Sequence, residues 1–251
     1  MASAREVKNR IRSVKNISQI TKALEAVSAS KVRKAQERAQ STRIYAEKAW
    51  EILINVQRAN EGLLLHPLLS EREEVKSVMI ILITADRGLA GSYISNIIKV
   101  AENFERRFDG PVKYVTVGKR GRDTMLRQGA DIVAEFSNLP DEPSIEDIRP
   151  IARIGIDAFL NNEVDEVLIA YTDFINLLTQ RPSIIGWLPL TDNTIAQRVA
   201  EDAVKDAPHI SEMQMDYDYE PNATAVVEEI VPRFTELQLY QALLEAKASE
   251  H

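Results

Sequence analysis

Apolar residues recur every three or four positions along the opening of the chain. Val7, Ile11, Val14, Ile17, Ile20, Leu24 and Val27 fall on one narrow helical stripe. The stripe runs on through Val32, Ala35 and Ala39, then Ile44, Trp50, Leu53 and Val56, and the step from Val27 to Val32 breaks strict heptad register. Ser3 and Glu6 have capping-box spacing, and no glycine precedes Gly62 and no proline precedes Pro67. The pattern predicts one helix from about residue 4 to 60, about 85 Å long at ~1.5 Å per residue. That is too long to pack inside a domain of this size, so part of it must project. A narrow stripe needs a second helix to cover it. From Asn222 onward Val226, Val227, Ile230, Phe234, Leu237, Tyr240 and Leu244 repeat at helical spacing, with Pro232 as a kink or restart. Both helices leave the body between them and should pair antiparallel.

Between them, roughly residues 75–190, short β-branched runs alternate with amphipathic stretches. The runs are Ser77 to Thr84, Val112 to Val117, Asp131 to Phe136, Val164 to Tyr171 and Ser183 to Leu190. Ile94, Ile97, Ile98, Ala101, Phe104 and Phe108 share one helical face. The alternation predicts an α/β domain, Rossmann-like in outline, with a largely parallel sheet. The expected organisation is a coiled-coil helix over 1–61, the α/β domain over 75–190, an acidic irregular connector over 191–221 and a second coiled-coil helix over 222–251.

Composition narrows the chemistry. At 45% hydrophobic and 27% charged residues over 251 positions, the chain has the balance of a folded globular protein. Val78 to Ile83 is its longest strongly apolar run, far below the roughly 18 residues of a membrane span. A charged amino terminus lacks the apolar core of a secretory signal, which predicts an intracellular protein. With no cysteine, and with His66, His209 and His251 scattered, disulfides, thiolate metal sites and histidine triads are not expected. Residues 1–50 hold twelve Lys or Arg and four Asp or Glu, a net of +8 on a chain whose total is −7. A basic arm on an acidic body predicts an acidic partner.

Four candidate sites follow. Thr84 to Ser92 lies where the first strand turns into its helix, the place of phosphate loops in α/β folds. Its Gly88-x-x-Gly91 spacing is neither a dinucleotide nor a Walker fingerprint, and a tight turn with an Asp86 to Arg87 polar cluster is the plainer reading. Gly118 and Gly121, around Lys119 and Arg120, form a weaker pair. Tyr171, Asp173 and Asn176 follow a buried strand and could line a cleft or cap the strand end. The basic helix carries Lys31, Arg33, Lys34, Arg38 and Arg43 among Ala, Gln and Ser with no aromatics to stack bases, which favours a protein surface over nucleic acid. No pair of carboxylates has the spacing of an acid and base couple. A nucleotide-binding α/β protein with a coiled-coil arm, and a basic coiled-coil nucleic-acid adaptor, remain the alternatives.

Four segments resemble one family. SVKNISQITKALEAVSASKVRKAQ (Ser13 to Gln36), TADRGLAG (Thr84 to Gly91), Phe174-Ile175-Asn176 and ELQLYQALLEAKASEH (Glu236 to His251) occur in the order found in the gamma subunit of rotary ATP synthases. The resemblance implies a non-catalytic central rotor shaft. It would have no cofactor or metal of its own, would not bind nucleic acid or insert in the membrane, and would sit peripherally on the cytoplasmic face of a bacterial cell membrane. The implied partners are the alpha and beta subunits of the catalytic ring, the epsilon subunit and the membrane c-ring. The implied contact residues are Arg10, Lys15, Lys22, Lys31, Arg33 and Lys34 on the shaft. Asp86, Arg87, Gly88, Leu89, Ala90 and Gly91 would lie near the acidic lever loops of the catalytic subunits. Leu24 and Ala26 stand where the family usually has methionines, Ala90 stands where some relatives have cysteine, and the chloroplast regulatory insert is absent. The family's last helix is also longer than the stretch ending at His251. Roughly thirty residues can cover only the body-proximal half of the first helix, so Val7 to Val27 should lack an intramolecular partner, with weak amide protection over 4–30 and stronger over 35–58.

Overall fold

The computed structural model describes residues 4–59, 66–88, 90–190 and 222–250, without the side chains of 39–59 and of Ala223. Ser3, Leu89, His251 and the 191–221 connector lie outside the described residues, and with them the reading of an opening capping box. In chain order the elements are α1 (Ala4–Ala59), a 3-10 turn (Pro67–Leu69), β1 (Val78–Ile83), α2 (Tyr93–Glu105), β2 (Val112–Val117), α3 (Lys119–Gln128), β3 (Asp131–Phe136), α4 (Ile145–Leu160), β4 (Glu166–Asn176), β5 (Thr179–Leu188) and α5 (Ala223–Glu250).

The sheet order is β3-β2-β1-β4-β5, with β1 to β4 parallel and β5 antiparallel to β4. β1 is buried along its whole length because both of its faces are covered, and its uninterrupted VMIILI sequence follows from that. Val78, Ile80 and Leu82 meet Ile97, Ile98 and Ala101 of α2 and Met125 of α3. Met79, Ile81 and Ile83 face the opposite layer, built from Ile148, Ile151 and Phe159 of α4 and Phe234, Leu239 and Leu243 of α5.

All five predicted strands are present, but the last two are longer than the sequence suggested. An antiparallel partner allows β4 to continue past the end of β1, so Tyr171, Asp173 and Asn176 lie within a β4–β5 hairpin and do not follow the strand as a cleft lining. Asp173 pairs across that hairpin with Arg181 at 3.1 Å, and Asn176 Oδ1 accepts from the amides of Leu178 and Thr179.

α5 passes through Pro232 as one helix of 28 residues. The missing N–H costs an intrahelical bond, and burial of Val227, Val231 and Phe234 on either side of it holds the turn in place. This helix also does more than pair with α1. One flank is part of the sheet's own core, which accounts for its weak amphipathicity, and another flank meets α1. The pairing is antiparallel: Arg38 stands beside Tyr240, while Val27 and Lys31 are level with Leu244 and Lys247. Beyond that point α1 is bare. Val32 and Ala35 are buried, whereas Ile11, Val14, Ile17 and Ile20 are each 60% to 65% exposed.

Candidate partner interface at the carboxyl edge of the sheet

The turn after β1 is built by hydrogen bonds to its neighbours. Thr84 Oγ1 donates to Val117 O at 3.1 Å and accepts from Gly121 N at 3.0 Å. A Cβ on Gly118 would lie 2.4 Å from Thr84 O, and one on Gly121 would lie 2.6 Å from Thr84 Oγ1. The second glycine pair therefore lets the β1 and β2 turns nest together, and Gly118 also needs its φ of +102°. Asp86 Oδ1 accepts from Lys119 N at 3.0 Å and Oδ2 from Asn138 N at 2.8 Å. The expected Asp86 to Arg87 cluster is thus replaced by a carboxylate that fastens three turns, since backbone amides at the start of α3 and after β3 are nearer its oxygens. Arg87 is exposed, Gly88 faces the Arg120 guanidinium, and Gly91 adopts a φ of +54° before α2. Leu89 lies outside the described residues.

In a doubly wound sheet a nucleotide sits beyond the carboxyl ends of the strands where the order reverses, here between β1 and β4. The end of α5 stands in that place. Tyr93 Oη donates to Ala246 O and Ser249 Oγ to Thr172 O, each at 3.2 Å. Burial, then the nearby Glu250 carboxylate, drives the Tyr93 phenol well above its ordinary range, so it stays a neutral donor. The space left between Thr84, Asp86, Gly118, Leu243 and Lys247 is ≈ 10 Å³, against at least ~300 Å³ for a small-molecule pocket. Among the described residues, the crevice beside this turn leaves no room for a nucleotide.

The cations of α1 divide into two groups. Lys31 donates to Asp141 at 2.7 Å and Lys34 to Glu142 at 3.0 Å, and Arg38 also bonds Glu142. Arg33 pairs with Glu37 on its own helix at 3.0 Å. The Lys34 hydrogen bond, and then the Arg38 charge, hold the Glu142 carboxyl below its ordinary pKa. Tyr240 Oη donates to Pro143 O at 3.0 Å, so the loop between β3 and α4 grips both long helices. Further out Arg10 lies 3.8 Å from Glu6, while Lys15 and Lys22 are exposed beside the bare stripe. Sequence reading missed Asp141, Glu142 and Tyr240. Adjacent acids between Pro140 and Pro143 were the available signal, but their partners lie more than a hundred residues away.

Among the described residues no group of three or more His, Asp or Glu is placed to hold a metal, and no helix is long and apolar enough to cross a membrane. Residues 3–251 match the family model described as ATP synthase. The chain is 42% identical over 255 residues to the ATP synthase gamma chain of Roseiflexus sp. (strain RS-1), covering 100% of this chain and 83% of the relative. It is 42% identical over 260 residues to that of Chloroflexus aurantiacus (strain ATCC 29366 / DSM 635 / J-10-fl), with the same coverage. A solved central stalk and c-ring structure of the Tetrahymena thermophila mitochondrial ATP synthase holds a chain of like fold, with TM-score 0.62 and 21% identity over 92% of this chain and 94% of that one.

Proposed function

The chain belongs to the gamma-chain family of ATP synthases, non-catalytic central-stalk subunits that couple rotation to ATP synthesis, and we propose that its bare α1 rod is the part that stands inside the catalytic ring. The exposed stripe from Val7 to Val27 carries this reading. At ~1.5 Å per residue, residues 4–25 extend about 33 Å past the last turn of α5. An exposed apolar seam of that length marks a surface for a further stretch of helix or for a partner.

Torque transmission follows from how the rod is fixed. α5 is built into the core of the α/β body, α1 is packed on α5, and the Asp141-Glu142 loop grips α1 from the side. Turning the body therefore turns the rod. Because the rod is asymmetric, three chemically identical catalytic sites meet three different surfaces, and each site's nucleotide affinity shifts by its differential contact with the rod. Of the predicted shaft contacts, Lys15, Lys22 and Arg10, the last beside Glu6, face outward toward acidic loops of the alpha and beta subunits, with long-range attraction favouring the encounter. Arg87 to Gly91 form the body's contact with the same ring. Lys31 and Lys34 serve the subunit's own clasp before any partner. The epsilon subunit and c-ring are the partners assigned to the rest of the body, at the cytoplasmic face of a bacterial membrane. Mixing the chain with purified alpha and beta subunits should give a complex with one copy per ring by native mass spectrometry, and failure to form it would remove the rotor role.

A further inference from the structure

A groove opens where α1, the β3–α4 loop and α5 meet, and the ion pairs of the clasp line it without filling it. Its volume is ≈ 400 Å³, within the ~300–1,000 Å³ of small-molecule sites. Along α1 the lining runs from Ala26 to Arg38, which at ~1.5 Å per residue makes the groove about 18 Å long. Ala26, Val27, Ala35, Pro143 and Leu244 supply apolar wall, and Ala35 and Leu244 are buried. The charged side chains of the lining are Lys31, Lys34, Arg38 and Lys247 against Asp141 and Glu142. With Glu250, which pairs with Lys247, that makes four cations to three carboxylates and leaves one positive charge in excess.

Lys247 distinguishes the groove from an ordinary surface cleft. It is 8% exposed, deep for a cation, and a buried ammonium is costly unless its donors are met. Among the described residues it bonds the Glu250 carboxylate at 3.3 Å, which leaves two of its three N–H donors for another acceptor. Leu244 lies one turn earlier on α5, so an apolar side chain and an ammonium line the same face. We propose that the groove binds an amphipathic anion, a carboxylate or sulfonate on an apolar body, with its head on Lys247 and its body along Val27, Ala35 and Leu244. An uncharged molecule of the same shape would leave the Lys247 donors unmet. A multiply charged one, such as a nucleotide, would lose hydration against the apolar wall with too few cations to replace it. All the walls belong to one chain, so a bound molecule ties α1 to α5 and to the loop without hindering motion of the subunit as a whole.

The test titrates the full chain with anilinonaphthalene sulfonate, a fluorescent amphipathic anion, and displaces it with decanoate or with uncharged decanol. The expected result is one saturable site per chain, from which decanoate displaces the dye and decanol does not. Lys247→Gln and Ala26→Glu should each weaken the Kd about fivefold or more, and Ile17→Ser, on the bare seam, should leave it unchanged. Ala26 is exposed on α1, so Ala26→Glu should keep the circular dichroism and melting temperature of the parent even if Lys247→Gln does not fold. Absence of a saturable site would overturn the proposal, as would displacement by decanol as effective as that by decanoate. A Kd that Ala26→Glu leaves unchanged and Ile17→Ser weakens would assign the dye to the seam and also overturn it.

Discussion

Gly155 and Trp187 show how single positions set the body's packing. The Trp187 indole is fully buried between α4 and α5 and donates to Thr235 O at 3.1 Å, so it cannot yield. A Cβ on Gly155 would lie 2.5 Å from its ring. Gly155→Ala gains up to ~1 kcal/mol of helix propensity but should lose about 1–3 kcal/mol to overpacking. Urea unfolding should therefore show net destabilisation, and an unchanged or raised midpoint would contradict this packing. Asp86 makes a second test. Asp86→Ala leaves the half-buried amide of Lys119 and the exposed amide of Asn138 without their acceptor, a loss of about 1 kcal/mol, and Asp86→Asn, which keeps one acceptor oxygen, should lose less in the same assay. Neither role was legible in the sequence. Asp86 was singled out for its neighbour Arg87, while its actual partners come from two other turns.

Among the elements, the clasp between α1 and the β3–α4 loop is the part most sensitive to solution conditions. Its ion pairs are largely exposed and screened by salt. Glu142 has its carboxyl pKa lowered in the fold, so its contribution is complete above the ordinary value of 4.5 and is lost as pH falls through the lowered one. With no native cysteine, spin labels can be placed through Ser30→Cys and Asn161→Cys, and their distance distribution should be narrow at pH 7. It should broaden below about pH 4.5, in ~1 M salt, and at pH 7 in the Glu142→Gln variant, with helicity monitored in parallel. A distribution indifferent to all three would contradict the clasp.

Elements of regular period were legible before the structure. The α1 stripe and the β-branched runs each repeat within a few residues, and local spacing sets local structure. The length of the β4–β5 hairpin was not, because it depends on an antiparallel pairing with no marker beyond Asn176. The second role of α5 escaped notice for a related reason. Val227, Phe234 and Leu244 read equally well as one coiled-coil stripe or as two buried flanks, and only the placement of the sheet decides between them.

For the whole molecule, the account joins a body whose ligand crevice is filled by its own last helix to a rod whose apolar seam is bare. A body so filled leaves no room for a nucleotide in that crevice among the described residues, and the described rod leaves its apolar seam exposed. On the proposed reading the catalytic ring covers that seam. Hydrogen exchange of the chain alone and bound to the ring measures this directly. Residues 4–27 should exchange rapidly in the free chain, while 227–248 are strongly protected, and on the ring the 4–27 amides should become protected as well. A stoichiometric complex in which residues 4–27 still exchange as fast as in the free chain would contradict the account.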